Sequence, residues 1–383
     1  MKKENKNQYN IPTNFIDLTK QQSFIREKLD TAIKKVLDHG KYIMGPEVYE
    51  LEENLAKFSE AEFVTSCANG TDALTISLMA LKIKKGDFII APSFTYIASV
   101  EAAAILGINP IFVDVDINTY NIDPNSVKEA ILFSKKNNLN VKAIVAVDLF
   151  GLPHEYDEIK TLADENNIKI IHDAAQSFGA KYKGNKVGSY ADITTTSFFP
   201  AKPLGCYGDG GAIFTNDEES NELIKSIRLH GKGIEKYDHV NLGMNSRLDC
   251  LQAAILNVKL EVFPEEIKKR NEVAKLYLDK IDGDLQKPLM PNDCVLTWAQ
   301  FTIQSYLKDK IIQAMKENEI PYAIYYPKPL HLQPAYTKYL LPDSPSLKNS
   351  EVLSNTVLSI PMHPYLSEEE ISGISEVINT AIK

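Results

Sequence analysis

Cysteine is scarce in this chain and unpaired. The four residues, Cys67, Cys206, Cys250 and Cys294, lie far apart, with no C-x-x-C spacing and no histidines clustered around them. Neither a disulfide framework nor a zinc site is expected, and a reducing compartment fits. A basic excess is missing as well: 42 Lys and Arg stand against 51 Asp and Glu, for a formal charge of −9 and a pI near 5.4. That balance argues against a nucleic-acid-binding surface, while leaving room for a local basic pocket that takes an anionic small molecule. No apolar run approaches the length needed to cross a bilayer. The opening MKKENKNQYN is charged but has no apolar segment behind it, so no secretory signal is expected. Internal repeats and low-complexity segments are absent too. Together these absences predict a soluble, cytoplasmic protein with no nucleic-acid, membrane or metal partner.

What is present suits two domains. At 383 residues the chain is too long for one small core, and 24% charged with 44% hydrophobic residues is ordinary for a globular protein. Residues 1–20 read as a polar arm. It leads into an amphipathic helix, with Phe24, Ile25, Leu29, Ile33, Val36 and Leu37 at helical spacing and His39-Gly40 at its end. A second helix follows Pro46. Strands and helices then alternate. Strands are expected at Phe63–Ala68, Phe88–Ala91, Pro110–Val115, Val141–Val147 and Lys169–Asp173. Helices are expected at Thr71–Leu81, Ala98–Leu106 and Tyr156–Asn166, with another opened by Asp123 as cap and Pro124 as first residue. The alternation predicts an α/β fold whose mainly parallel sheet is sandwiched by helices. Beyond Thr215, residues 217–229 and 249–281 are mostly helical. From Pro288, strand candidates at Leu296–Ile303 and Tyr322–Tyr326 mix with helices near 307–318 and 367–381, which reads as a smaller α+β domain. The boundary is placed so that residues 1–260 hold the arm and large domain, and residues 261–383 the small one.

The chain is organised around residues 192–215. An apolar and β-branched run from Ile193 to Phe199 leads into Pro200-Ala201-Lys202-Pro203, four glycines follow between positions 205 and 211, and a second run, Ala212 to Thr215, closes the stretch. This is strand, tight loop, strand, with one lysine at the loop tip. Taken alone, Lys202 is most simply an exposed loop lysine. Three other groups fall at the carboxyl ends of expected strands, where parallel α/β sheets bind ligands. Asn69-Gly70-Thr71-Asp72 opens a helix whose free N–H groups suit a phosphate, though plain capping by Asp72 or Thr71 competes. Ser93-Phe94-Thr95-Tyr96 offers an aromatic that stacks on a planar ring or packs in the core. The motif HDAAQ, residues 172–176, puts Asp173 at the end of an apolar strand, where a carboxylate is costly unless it caps, pairs or binds a ligand. With Lys202 and Ser197, these are the parts needed to hold pyridoxal phosphate: an amine to form the imine, an acid to keep the ring nitrogen protonated, and a helix end to grip the phosphate.

HGKYIMGPEVYELE, CANGTDAL, PSFTYIAS, HDAAQSFGA, SFFPAKPLGCYGDGGA and GMNSRLDCLQAAIL run along nearly the whole chain. In these segments it resembles the DegT-type sugar aminotransferases, fold-type-I pyridoxal-phosphate enzymes. The resemblance implies Lys202 as the Schiff-base lysine, Asp173 as the pyridinium partner, Gln176 near the ring hydroxyl and Tyr96 on the ring face. It implies a phosphate site of Gly70, Thr71 and Ser197, joined by Asn245 from the other subunit of a homodimer, with Arg247 reaching across the same interface unless it is spent on an ion pair with Asp249. Within the family, FFPAKPLGCYGDGG, the HGKY entry and YYPKPLH are most similar to enzymes that use glutamate to aminate UDP-2-acetamido-2-deoxy-3-keto-glucuronate for surface polysaccharide such as O-antigen. For that carboxylated nucleotide-diphospho-sugar the available contacts are Gly40, Tyr42, Arg247, Tyr325, Tyr326, Lys328 and His331. Tyr325 stands where several relatives have a histidine, and a packed loop histidine competes for His331. Rival readings are another keto-sugar acceptor, such as a UDP-4-keto or dTDP-3-keto sugar, and a non-catalytic sugar-sensing regulator on the same fold, for which no helix-turn-helix or basic arm is visible. Lys202 argues against the family's dehydratase branch. A nicotinamide dehydrogenase is disfavoured because no G-x-G-x-x-G follows the first strand.

Overall fold

The computed structural model describes residues 14–235 and 237–383. The first thirteen residues of the expected arm lie outside that range. Two helices, α1 (Leu18–Phe24) and α2 (Arg26–His39), stand where one was expected. Ile25 separates them with φ −111° and ψ 13°, and its buried side chain packs with Leu29, Ile255 and Val258. The apolar contact turns the chain and outweighs a straight helix. Helix α3 (Pro46–Ser59) follows, with proline in its first turn.

Alternation then sets in as read. The chain runs through β1 (Phe63–Cys67), α4 (Gly70–Ala80), β2 (Phe88–Pro92), α5 (Ala98–Ile105), β3 (Asn109–Val113), α6 (Pro124–Lys136), β4 (Val141–Val147), α7 (Tyr156–Asn166) and β5 (Lys169–Asp173). Short strands β6 (Lys181–Tyr182) and β7 (Asn185–Lys186) precede β8 (Ile193–Ser197) and β9 (Gly211–Thr215). The seven-stranded sheet has the order β1-β9-β8-β5-β4-β2-β3, and β9 runs antiparallel to both its neighbours. The parallel strands therefore present their carboxyl ends along one rim. Leu74, Val100 and Ala103 of α4 and α5 pack on one face with Ile89 and Val145, while Val127, Ile131 and Ile159 of α6 and α7 pack on the other with Ile90 and Ile144. Strands buried on both faces explain why β2, β4 and β5 read as continuous apolar runs.

Helix α8 (Glu218–Arg228) leads to α9 (Cys250–Lys280), of 31 residues. The boundary expected between 260 and 261 falls inside α9. Cys250 to Ile267 pack into the large lobe with α3, whereas Val273, Ala274 and Tyr277 belong to the small-lobe core with Trp298 and Ile374. The small lobe comprises β10 (Cys294–Val295), β11 (Phe301–Gln304), α10 (Lys308–Glu317), α11 (Lys348–Thr356), β12 (Val357–Ile360) and α12 (Glu368–Ala381), with β11 and β12 antiparallel. The expected strand at Tyr322–Tyr326 does not form: only Ala323 bridges, to Ser359. Pro321 and Pro327 flank it and supply no ladder donors.

Candidate active site

The loop between β8 and β9 is held by its own backbone. The Lys202 N–H donates to the Phe199 carbonyl (2.9 Å) and Cys206 N–H to the Phe198 carbonyl (2.8 Å). A Cβ on Gly205 would lie 2.5 Å from the Pro200 oxygen, so only glycine allows the turn to close. Beneath it the buried Lys259 donates its ammonium to the Gly205 carbonyl.

The loop tip and the carboxyl ends of β4, β5 and β8 enclose a cavity of about 410 Å³. Lys202, Asp173, Gly70, Thr71, Tyr96, Gln176, Ser197, Tyr325 and Tyr326 all line it, so the structure brings these sequence-selected residues together. Desolvation holds the Lys202 amine below the ordinary lysine value, against the pull of Asp173. Desolvation raises Asp173 above the usual carboxylate range, opposed by the Ala175 N–H, the Lys202 charge, the Ser99 hydroxyl and His172. Its Oδ1 accepts from Ala175 N (3.1 Å) and its Oδ2 from Ser99 Oγ (3.2 Å), so it caps the turn as well as facing the cavity. Gln176 is immobilised, accepting at Oε1 from Phe150 N (2.7 Å) and donating from Nε2 to Tyr326 Oη (3.3 Å). Tyr326 in turn contacts the Phe94 and Tyr96 rings at centroid distances of 6.1 and 6.3 Å.

Asn69 caps α4 by accepting from Asp72 N (2.8 Å), so the competing reading of capping by Thr71 or Asp72 does not hold. The Gly70 and Thr71 N–H groups at the helix start are left without intrahelical acceptors. A Cβ on Gly70 would meet Ser197 Cβ at 2.8 Å, so glycine is what lets the helix end sit against Ser197.

The remaining sequence-selected residues lie elsewhere. His331 is buried and shares a 2.6 Å hydrogen bond with Ser93 Oγ and one of 3.2 Å with Glu351, over the Phe112 ring. It does not line the cavity: two neighbours occupy its nitrogens, as the competing reading of a packed loop histidine has it, and desolvation lowers its pKa. Gly40 is the left-handed cap of α2 (φ 68°), and Tyr42 is 49% exposed. Asn245 and Lys328 are exposed and Arg247 half-buried, and none of these lines this chain's cavity. Among the described residues Arg247 forms no ion pair with Asp249. An isolated bridge from Ile43 to Asp249 sets the 40–43 segment beside Arg247. Sequence reading did not single out Ser99, Thr195, Thr196, Asp209 or Gln300. Ser99 was findable, one helical turn past Thr95, whereas Gln300 carries no motif. Among the described residues one buried cluster has metal-ligating residue types, Asp148, His154 and His172. There the carboxylate is already bonded to His154 Nδ1 (2.6 Å), His172 Nε2 (2.7 Å) and Ser177 Oγ (2.6 Å).

The residues present fit pyridoxal phosphate. A buried carboxylate raised by desolvation gains from a protonated ring nitrogen. The glycine-cleared start of α4, with Ser197 and the buried, unpartnered Thr95 Oγ1, offers donors to a phosphate.

Comparison with known proteins agrees. Residues 23–379 match the model of the DegT/DnrJ/EryC1/StrS aminotransferase family. The chain is 45% identical to the UDP-2-acetamido-2-deoxy-3-oxo-D-glucuronate aminotransferase of Pseudomonas aeruginosa, covering 94% of this chain and 98% of that one. It superposes on a DegT DnrJ EryC1 StrS aminotransferase from Brucella abortus with a TM-score of 0.94 at 44% identity, covering 96% of this chain and 99% of the other. NtdA from Bacillus subtilis, solved with bound PMP, gives 0.86 at 28% identity, over 98% and 87% of the two chains.

Proposed function

Because the chain belongs to the DegT/DnrJ/EryC1/StrS aminotransferase family, we propose that it transfers an amino group from glutamate to the C3 ketone of UDP-2-acetamido-2-deoxy-3-keto-glucuronate, in the making of a surface polysaccharide such as O-antigen. The observation that carries this is the convergence of Lys202, Asp173 and the start of α4 on one cavity. The relative at 45% identity supports the choice of acceptor.

When bound, pyridoxal phosphate supplies an aldehyde carbon that carries the amino group and a ring that accepts electrons. The chain's residues do the rest. Lys202 would anchor that carbon and, once released, would carry the proton between it and the substrate carbon; burial lowers the proton affinity of the amine, the direction a base needs. Asp173 would hold a proton at the ring nitrogen. Gln176, fixed from both ends, would stand beside the ring and Tyr96 would cover one face. Gly70, Thr71 and Ser197 would hold the phosphate.

We further propose a homodimer in which Asn245 and Arg247, with Gly40 and Tyr42, serve the neighbouring copy's cavity, Asn245 at its phosphate and Arg247 at the sugar acid. Exposed Ile234 (97%), Val240 (61%) and Leu242 (88%) lie on the same segment and would be covered. Work on a soluble nucleotide sugar suits the cytoplasm.

The test is incubation of the purified protein with glutamate and the 3-keto sugar. The expected result is 2-oxoglutarate and the 3-amino sugar acid in equal amounts by mass spectrometry. Amination of a 4-keto or dTDP-linked sugar in preference would replace the acceptor, and protein that takes up no cofactor would favour a sugar sensor.

A further inference from the structure

We infer that Gln300 binds the hexose of the nucleotide sugar and takes no part in handling the amino donor. This rests on the keto-sugar reading above. Among the residues lining the cavity, only Gln300, Tyr325 and Tyr326 come from beyond Asp209. Every group that fits the cofactor comes from the large lobe, so these three side chains face the substrate.

Gln300 differs from the other cavity glutamine. The Gln176 amide has a partner at each end, Phe150 N at its oxygen and Tyr326 Oη at its nitrogen. The Gln300 Oε1 is buried and has no partner among the described residues. A desolvated acceptor left unpaired costs on the order of 1–3 kcal/mol, and a turn of the half-buried side chain that lines the cavity would bring it to a ligand donor and recover that cost. Ring hydroxyls and an acetamido N–H are such donors. The carboxylates of glutamate are acceptors and offer that oxygen no donor.

The residue is also held ready. Gln300 N donates to the Phe150 carbonyl (3.5 Å), Thr297 N to the Gly151 carbonyl (3.2 Å), and Thr297 Oγ1 to the Gln176 carbonyl (2.7 Å). A Cβ on Gly151 (φ +98°) would lie 2.6 Å from Thr297 Oγ1, so the two segments are in contact with no slack. A backbone fixed in this way leaves only the side-chain torsions to be ordered on binding.

The experiment uses Gln300→Met, which keeps the length and removes the acceptor, in the cofactor-loaded protein. The probe is UDP-2-acetamido-2-deoxy-glucuronate, the 3-hydroxyl congener, which cannot be aminated. Calorimetry is expected to show its Kd about tenfold weaker. The single-turnover reaction with glutamate, followed by the change in cofactor absorbance, should stay within about twofold of wild type. The melting temperature should hold or rise, because an unpaired acceptor has been removed. Unchanged sugar binding, equal loss of both measurements, or a fall in melting temperature alongside weaker binding would each overturn the inference. Should wild type bind no UDP-sugar acid, the acceptor assignment falls instead, and Gln300 is then judged by the same ratio on whichever nucleotide keto-sugar the wild type aminates.

Discussion

Lys202 and Lys259 show what burial does to an amine. Both are held below the ordinary lysine value chiefly by desolvation, Lys259 at about 8. Lys202→Ala is expected to abolish turnover while leaving phosphate-held cofactor bound; substantial turnover, or borohydride labelling of a different lysine in the wild type, would contradict its role. For Lys259 the consequence is a pH dependence of stability. Below pH 8 the folded and unfolded chains both carry the proton, and the desolvation penalty is complete. Between about 8 and the reference value of 10.5 only the unfolded chain is protonated, so stability rises with pH. Urea unfolding should therefore show wild type gaining on Lys259→Met across that window, by on the order of 2–3 kcal/mol, with no relative change below it. His331 illustrates the limit of reading single residues. Its place in YYPKPLH suggested a ligand, yet Ser93 and Glu351 are distant in sequence and claim both nitrogens.

At the level of elements, β5 and α7 match the sequence reading to the residue, because each is bounded by clear signals and has the right period. Helix α11 and strand β12 did not register: they join at Thr356-Val357 with no glycine or proline between them, so nothing in the local pattern marks the change. The candidate site was legible where chemistry sits at strand ends, as with Asp173, Ser197 and Lys202. It was illegible where tertiary packing alone delivers a side chain, as with Gln300. One element contact is directly testable. A Cβ on Gly211 of β9 would lie 2.6 Å from the Asn69 carbonyl carbon and oxygen, which are backbone and cannot swing away. Gly211→Ala should cost about 1–3 kcal/mol of stability and weaken cofactor binding by displacing the start of α4. Equilibrium unfolding and cofactor titration on the same variant check both effects.

For the whole molecule, α9 decides how the lobes behave. One helix supplies Phe263 and Ile267 to the large-lobe core and Val273 and Tyr277 to the small-lobe core, and Tyr277 Oη donates to the Pro361 carbonyl (3.0 Å). Neither core can melt without fraying the helix that stiffens the other. Scanning calorimetry should show a single transition; two resolved peaks would mean the lobes are energetically separate. At this scale the sequence placed a second domain but not its border, since a helical pattern running through both cores gives no break in composition.

Phe150 deserves a last consequence. Its peptide N–H is bound by the side chain of Gln176 and its carbonyl by the backbone of Gln300. A single left-handed residue (φ 60°) is thus the fulcrum between the cavity wall that carries Gln176 and the wall that carries Gln300. Tilting it would misalign both at once, so substitutions that broaden acceptor choice by reshaping one wall should succeed only when this pivot stays still.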